Sequence, residues 1–198
     1  MTVSELQEKI KSEETQIKSL QFDYEQEMTS ELSREIQKAS GTAYIQKPKS
    51  LRIEQKDPEK QVIVGSGKIV FIYTPRFNQV LKDSWSRWVK NNPLLPGLFG
   101  GPETFERLKS HFQWEVAGLE DLNGEKTIHL RLKENTASGG EELILWLGES
   151  DYIPRKTKMV DGTMEITTTL ISLKINPSIE AKIFQFVPPP GTTLVQMP

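Results

Sequence analysis

The chain has 198 residues, a formal charge of −2, two His and no Cys. That length suits one domain with a real core. The balance of charge leaves no electrostatic footprint for a nucleic-acid backbone, and the missing Cys excludes disulfides, thiol nucleophiles, thiolate metal sites and a lipid-modified cysteine.

Val3, Leu6, Ile10, Ile17 and Leu20 recur at helical spacing between charged residues, which predicts an amphipathic helix over 3–20. Thr2 and Glu5 stand at capping-box spacing at its start. The period then falls to two, as Phe22, Tyr24 and Met28 alternate with Asp23, Glu25 and Glu27. Further strands are predicted near 32–38, 41–47, 50–55, 60–65 and 68–73, with a short one at 78–82. Charged residues flank most of them, which suits antiparallel neighbours with one wet face. Gly65-Ser-Gly67 reads as a turn, since it lacks the third glycine and the following helix of a phosphate-cradling loop.

Residues 83–110 break the pattern. Trp85, Trp88 and Val89 lie at helical spacing, Asn91 to Gly101 is apolar but broken by Pro and Gly, and Pro102 to Ser110 is again helical with Phe105 and Leu108 three apart. Strands resume near 111–118, 126–133, 142–148, 152–160, 163–173 and 181–187. Asn123-Gly124, Ser138-Gly-Gly140 and Asp161-Gly162 are hairpin turns between them. After Pro188-Pro-Pro190 and Gly191 the tail is expected to fray. This gives about ten to twelve strands in meander order, with a leading helix and one helical insertion. With no repeat or linker, residues 1–198 are expected to form a single domain.

No run reaches the length that spans a bilayer. The N-terminus lacks the basic flank and apolar core of a signal peptide, so either the protein is cytoplasmic or a signal has been removed. For chemistry, His111 and His129 sit in strand patterns with no partner at metal-ligand spacing, so no metal site is expected. Glu13-Glu14, Glu120-Asp121 and Glu141-Glu142 read as solvated helix or turn residues, and a hydrolase built on a carboxylate pair brought together by folding stays open. No G-x-S-x-G elbow or S-x-x-K nucleophile occurs in a suitable setting. Leu94, Leu95, Leu98 and Phe99, with Pro and Gly as hinges, have the composition of a lid over an apolar concave face, or of a plain helix on a sheet.

One order of motifs goes further. Leu20 and Tyr24 to Gln26 are followed by Gly41 to Lys47-Pro48 with Leu51, then Asp57-Pro58 and Ser66-Gly67. Phe71-Ile-Tyr-Thr-Pro75 comes next, and the chain closes on Phe184-Gln-Phe-Val-Pro-Pro-Pro-Gly191. In order and spacing this resembles the periplasmic outer-membrane lipoprotein carriers (LolA-type), over about residues 15 to 191.

The resemblance implies a mainly β fold with a few helices: an incomplete, unclosed antiparallel β-barrel with a leading helix and a helical lid over an apolar cavity. It implies a carrier of lipoprotein acyl chains in the periplasm, its signal peptide removed, and neither an enzyme nor a cofactor protein. Its partners would be acylated lipoproteins, an inner-membrane lipoprotein-releasing ABC transporter and an outer-membrane lipoprotein receptor, with the carrier a monomer. Leu20, Tyr24, Ile45, Leu51, Phe71, Leu95 and Phe99 would line or cover the cavity. In the family an arginine before the proline latches the lid; Lys47 stands there, and lysine lacks the planar fork of arginine. A receptor or sensor domain of the same fold is the alternative reading.

Overall fold

The computed structural model describes residues 1–32, 35–91, 101–136 and 140–197. The first half holds α1 (Val3–Gln16), β1 (Ser19–Ser30), β2 (Ile36–Gln46), β3 (Ser50–Asp57), β4 (Gln61–Ser66), β5 (Ile69–Thr74), β6 (Gln79–Ser84) and α2 (Trp85–Asn91). The second holds α3 (Gly101–His111), β7 (Phe112–Leu122), β8 (Glu125–Glu134), β9 (Glu142–Gly148), β10 (Pro154–Asp161), β11 (Met164–Ile175) and β12 (Thr193–Gln196). All twelve strands hydrogen-bond into one sheet in the order β12-β6-β5-β4-β3-β2-β1-β11-β10-β9-β8-β7. Because β12 and β7 are its two ends, the sheet is unclosed. Mainly β, with few helices and one unclosed sheet, this is the fold class expected from sequence.

By internal contact the chain divides into two compact units. The first comprises 1–16, 26–37 and 93–170. Its core joins Leu6 of α1 and Leu108 of α3 to Ile128, Leu130 and Leu132 of β8 and Leu143, Leu145 and Leu147 of β9. The register explains the grouping: Ile128 faces Leu147, Leu130 faces Leu145 and Leu132 faces Leu143, so each pair stands on one side of the sheet. The capping box forms, Thr2 N–H donating to Glu5 Oε2 at 2.7 Å and Glu5 N–H to Thr2 Oγ1 at 3.2 Å. At the β7–β8 turn Asn123 and Gly124 both take positive φ, 56° and 87°, as a two-residue hairpin requires. Arg155 of β10 forks onto Glu125 (Nε to Oε1, 2.9 Å) and onto Asp151 (Nη2 to Oδ2, 2.8 Å), tying the β8 edge to the β9–β10 turn.

The second unit comprises 17–25, 38–92 and 171–198. Its meander from β2 to β6 is antiparallel throughout. Three details depart from the sequence expectation. The leading helix stops at Gln16 rather than at residue 20, and Ser19 already opens β1. Asn176 Oδ1 accepts from Lys18 N–H (2.7 Å) and Ser19 N–H (3.3 Å), and the Ser19 hydroxyl donates to Pro177 O (2.7 Å), so these groups are satisfied outside a helix. The strands expected at 32–38 and 41–47 give way to one strand, Ile36–Gln46, with a register shift between Ser40 and Gly41. Gly41 does not break it; the strand passes beneath Tyr24, where a Cβ would stand 2.8 Å from the Tyr24 ring. Finally, 181–187 is not a strand but a single 3-10 turn at Ala181–Phe184, and the tail does not fray: β12 pairs in parallel with β6, Leu194 opposite Val80 and Val195 opposite Leu81. Asn78 Nδ2, which donates to Gly191 O at 2.9 Å, and Thr193 N–H, which donates to Asn78 O at 3.0 Å, set that register.

Candidate functional site

The second unit sorts its side chains onto two faces. Cross-strand partners share a face, and the register links Ile45 to Leu51, Leu51 to Gly65, and Gly65 to Val70. A parallel row links Ala43 to Ile53, Ile53 to Ile63, and Ile63 to Ile72. Tyr24 joins this face over Gly41, and Leu20 and Phe22, four and two residues before Tyr24, alternate onto it. Leu20, Tyr24, Ile45 and Leu51 are all buried, at 2%, 4%, 5% and 1% exposure. Four of the residues picked from sequence therefore come together on one apolar face.

Phe71 does not join them. It pairs with Val64 and with Lys82, one residue out of step with the Leu51 row, so it stands on the opposite face. There its ring lies 5.4 Å from that of Phe186, which also meets Tyr73 at 6.1 Å, and Arg52 Nη1 reaches Ile183 O at 3.2 Å. The C-terminal Phe-x-Phe segment thus packs on the side of the sheet away from Leu51. Leu95 and Phe99, with the apolar centre of the expected lid, fall outside the described residues. Lys47 is half-buried just after β2, its N–H donating to Lys18 O at 2.9 Å.

The start of the expected lid is described, and it sits on the apolar face. α2 follows β6 directly, with Trp85 N–H donating to Lys68 O at 2.9 Å. A Cβ on Gly65 would stand 2.7 Å from Trp85 Cζ3 and 3.1 Å from Leu51 Cγ. Gly65 is glycine because an indole lies where its side chain would go. Beside it, Asp83 shares the register of Val70 and is buried. Its Oδ1 accepts from Ser84 N–H and from Arg87 Nε, both at 2.6 Å, while Arg87 Nη2 reaches Met197 O at 3.3 Å. One carboxylate so fixes the first turn of α2 and neutralises itself against that helix's arginine. Sequence placed Gly65 in a turn, whereas it lies within β4 paired with Leu51 and Val70, and Asp83 escaped the sequence reading. An aspartate four residues before an arginine across a strand–helix junction was the signal available.

Burial also acts on chemistry here, pushing the Tyr24 phenol up to about 12. Among the described residues no cluster of three or more His, Asp or Glu has the grouping that holds a metal. In the first unit His129 stacks on Trp146 with centroids 5.1 Å apart, and Trp146 Nε1 donates to Glu120 Oε2 at 2.9 Å. Glu120, His129 and Trp146 form a packed aromatic cluster on the sheet face away from Leu130.

An unclosed sheet, antiparallel apart from β12, with a tryptophan-bearing helix on one buried apolar face, places the chain among the mainly β, open-sheet proteins. A sequence model described as "Outer membrane lipoprotein carrier protein LolA" matches residues 15–187, and the chain belongs to that family. The outer-membrane lipoprotein carrier protein of Legionella pneumophila (strain Corby) is 28% identical over 165 residues, covering 83% of this chain and 77% of that protein. Its counterpart in Methylococcus capsulatus is 27% identical over 191 residues, covering 96% and 87%. Among solved structures, an uncharacterized conserved protein from Thermus thermophilus shares the fold over 100% of both chains, with a TM-score of 0.65 and 13% identity.

Proposed function

We propose that this protein is a periplasmic carrier that holds the acyl chains of lipoproteins and passes them from an inner-membrane releasing ABC transporter to an outer-membrane receptor, residues 1–198 acting as one carrier domain. The observation that carries the reading is the apolar face of Leu20, Tyr24, Ile45 and Leu51, capped by Trp85, in a chain of the LolA family. Lys47 helps to latch the cover.

The mechanism follows from magnitudes. Each buried acyl methylene contributes about 0.8 kcal/mol, so lipoprotein chains do not cross water uncovered. A carrier that bound with the whole of that energy would never release its cargo. The face is buried in this structure, so an acyl chain must displace what lies on it. Net affinity is the burial energy less the cost of opening, and that difference makes handover possible. The step is binding and release, with no bond made or broken.

The test is displacement of a hydrophobic fluorescent probe by a triacylated lipoprotein and by its unacylated form. Displacement by the acylated form alone is expected. Equal effects of the two forms, or no probe uptake, would refute the reading.

A further inference from the structure

One end of the second unit carries a rim rich in lysine. β1 starts there, β2 ends, β3 starts, β4 ends, β5 starts, and β6 and β11 end. Backbone hydrogen bonds stitch these ends together: Asn176 N–H to Ser19 O, Lys47 N–H to Lys18 O, Gly67 N–H to Lys49 O and Trp85 N–H to Lys68 O, all between 2.8 and 2.9 Å. The segments 17–20, 46–50, 66–69 and 172–178 contain Lys18, Lys47, Lys49, Lys68 and Lys174, and not one Asp or Glu, while at the end of β6 Arg87 is paired with Asp83. Yet the chain as a whole has more carboxylates than cations, 27 against 25.

Lys18, Lys49, Lys68 and Lys174 are exposed, and among the described residues none of the four forms an ion pair. Some cations elsewhere are matched by carboxylates, as in Lys158–Glu165, Arg131–Glu142 and Arg155–Glu125. The opposite end of the same strands mixes signs, with Lys56, Asp57, Glu59 and Lys60 together and Arg76 paired with Glu59. Concentrating like charges costs self-repulsion, which an anionic partner relieves. Ile69 and Ile175, at 37% and 41% exposure, punctuate the rim as isolated apolar side chains. Half-buried Trp85 stands at its inner margin. Flexible ammonium groups interleaved with single apolar residues and an indole suit a headgroup layer, which presents many phosphates and a shallow apolar boundary.

We propose that this lysine rim is an electrostatic docking surface for the headgroups of an anionic phospholipid bilayer. The rim borders the apolar face directly: Ser19 adjoins Leu20, Ser50 adjoins Leu51, and Lys68 O holds Trp85. Docking therefore sets the mouth of that face against the membrane, where acyl chains leave or enter, a purpose that rests on the carrier reading. Each lysine near an anionic surface contributes about fivefold to partitioning, so two removed together cost about 25-fold.

The experiment is co-sedimentation of the full chain with phosphatidylglycerol-containing vesicles and with pure phosphatidylcholine vesicles, at low and high salt. Lys49→Gln/Lys68→Gln is compared with Lys56→Gln/Lys60→Gln, the same charge change at the other end. Binding to anionic vesicles only, lost in high salt, weakened about 25-fold by the first pair and little by the second, is the expected result. Equal loss in both pairs would overturn the proposal in favour of net charge. Failure of the unaltered protein to sediment with anionic vesicles would overturn it too, leaving the rim to an acidic protein surface. Uptake of a hydrophobic probe without vesicles, measured on all three proteins, is expected to stay unchanged. Its absence in the unaltered protein counts against the carrier reading alone, since sedimentation is read independently.

Discussion

Gly65→Ala separates a cover that competes with ligand from a helix that merely packs. The new methyl group would stand 2.7 Å from Trp85 Cζ3 and 3.0 Å from Cε3, closer than carbon atoms approach, with Leu51 Cγ behind it at 3.1 Å. Leu51 is buried in the sheet, so the flatter and less buried Trp85 gives way. Overpacking of this kind costs about 1–3 kcal/mol, charged here to the covered state. If an acyl chain must displace α2 to bind, that cost is subtracted from opening, and affinity for a hydrophobic probe rises by roughly 5- to 150-fold. Thermal stability of the empty protein falls at the same time. Probe titration reads the first effect and melting the second. Gly65→Ala/Trp85→Ala removes the clash along with the indole, so the stability change specific to the alanine at 65 should largely vanish in the double-mutant cycle. Lower stability with unchanged or weaker probe affinity would refute the idea that Trp85 covers the ligand's place.

The remaining predictions address the faces, the buried phenol and the first unit. Leu51→Glu should abolish probe uptake, whereas Phe71→Ala, on the other face, should cost about 1–3 kcal/mol of stability yet leave the probe dissociation constant within about twofold; loss of uptake in Phe71→Ala would overturn the face assignment. Tyr24 titrates near 12 when folded, above the ordinary 10, so its stabilising effect is whole below pH 10 and lost as pH rises through 12. Tyr24→Phe should accordingly flatten the alkaline decline in stability, and absorbance titration should show one of the four tyrosines ionising late. Arg155→Lys keeps the charge but not the fork onto Glu125 and Asp151, and should lower stability in urea unfolding by about 1–2 kcal/mol at constant m.

Alternation and turn chemistry made the meander legible. Asn123-Gly124 and Asp161-Gly162 mark hairpins that form where expected, and the period of two at Phe22 and Tyr24 marks two buried strand positions. What sequence could not settle was set by contacts distant in the chain. Ile17 and Leu20 continue the helical spacing of α1, but Asn176, far along the chain, claims the N–H groups of Lys18 and Ser19 and turns the chain into a strand. Phe71 lies in an unbroken apolar run, Ile69 to Tyr73, which has no alternation from which to choose a face. Only pairing with Val64 and Lys82, and the arrival of Phe186, places it away from Leu51. The parallel pairing of β12 was illegible for the same reason, since Thr193 to Gln196 carries too little pattern to name its partner without Asn78.

The faces also decide what kind of affinity this protein can have. Were Leu20, Ile45 and Leu51 open to water, an acyl chain would gain the full value of removing both surfaces from solvent. They are at most 5% exposed, so that gain has already been taken by the groups now covering them. On the carrier reading, ligand and cover compete for the same apolar area, and the free energy of loading is their difference. Asp83 bears on that difference from the margin. Its bonds to Ser84 N–H and Arg87 hold the first turn of α2 in place without covering the apolar row themselves. Strengthening or weakening that anchor changes the cost of opening while leaving the acyl-facing surface untouched. A carrier tuned in this way can vary its grip on cargo through the hinge of its cover, while Leu20, Ile45 and Leu51 stay as they are.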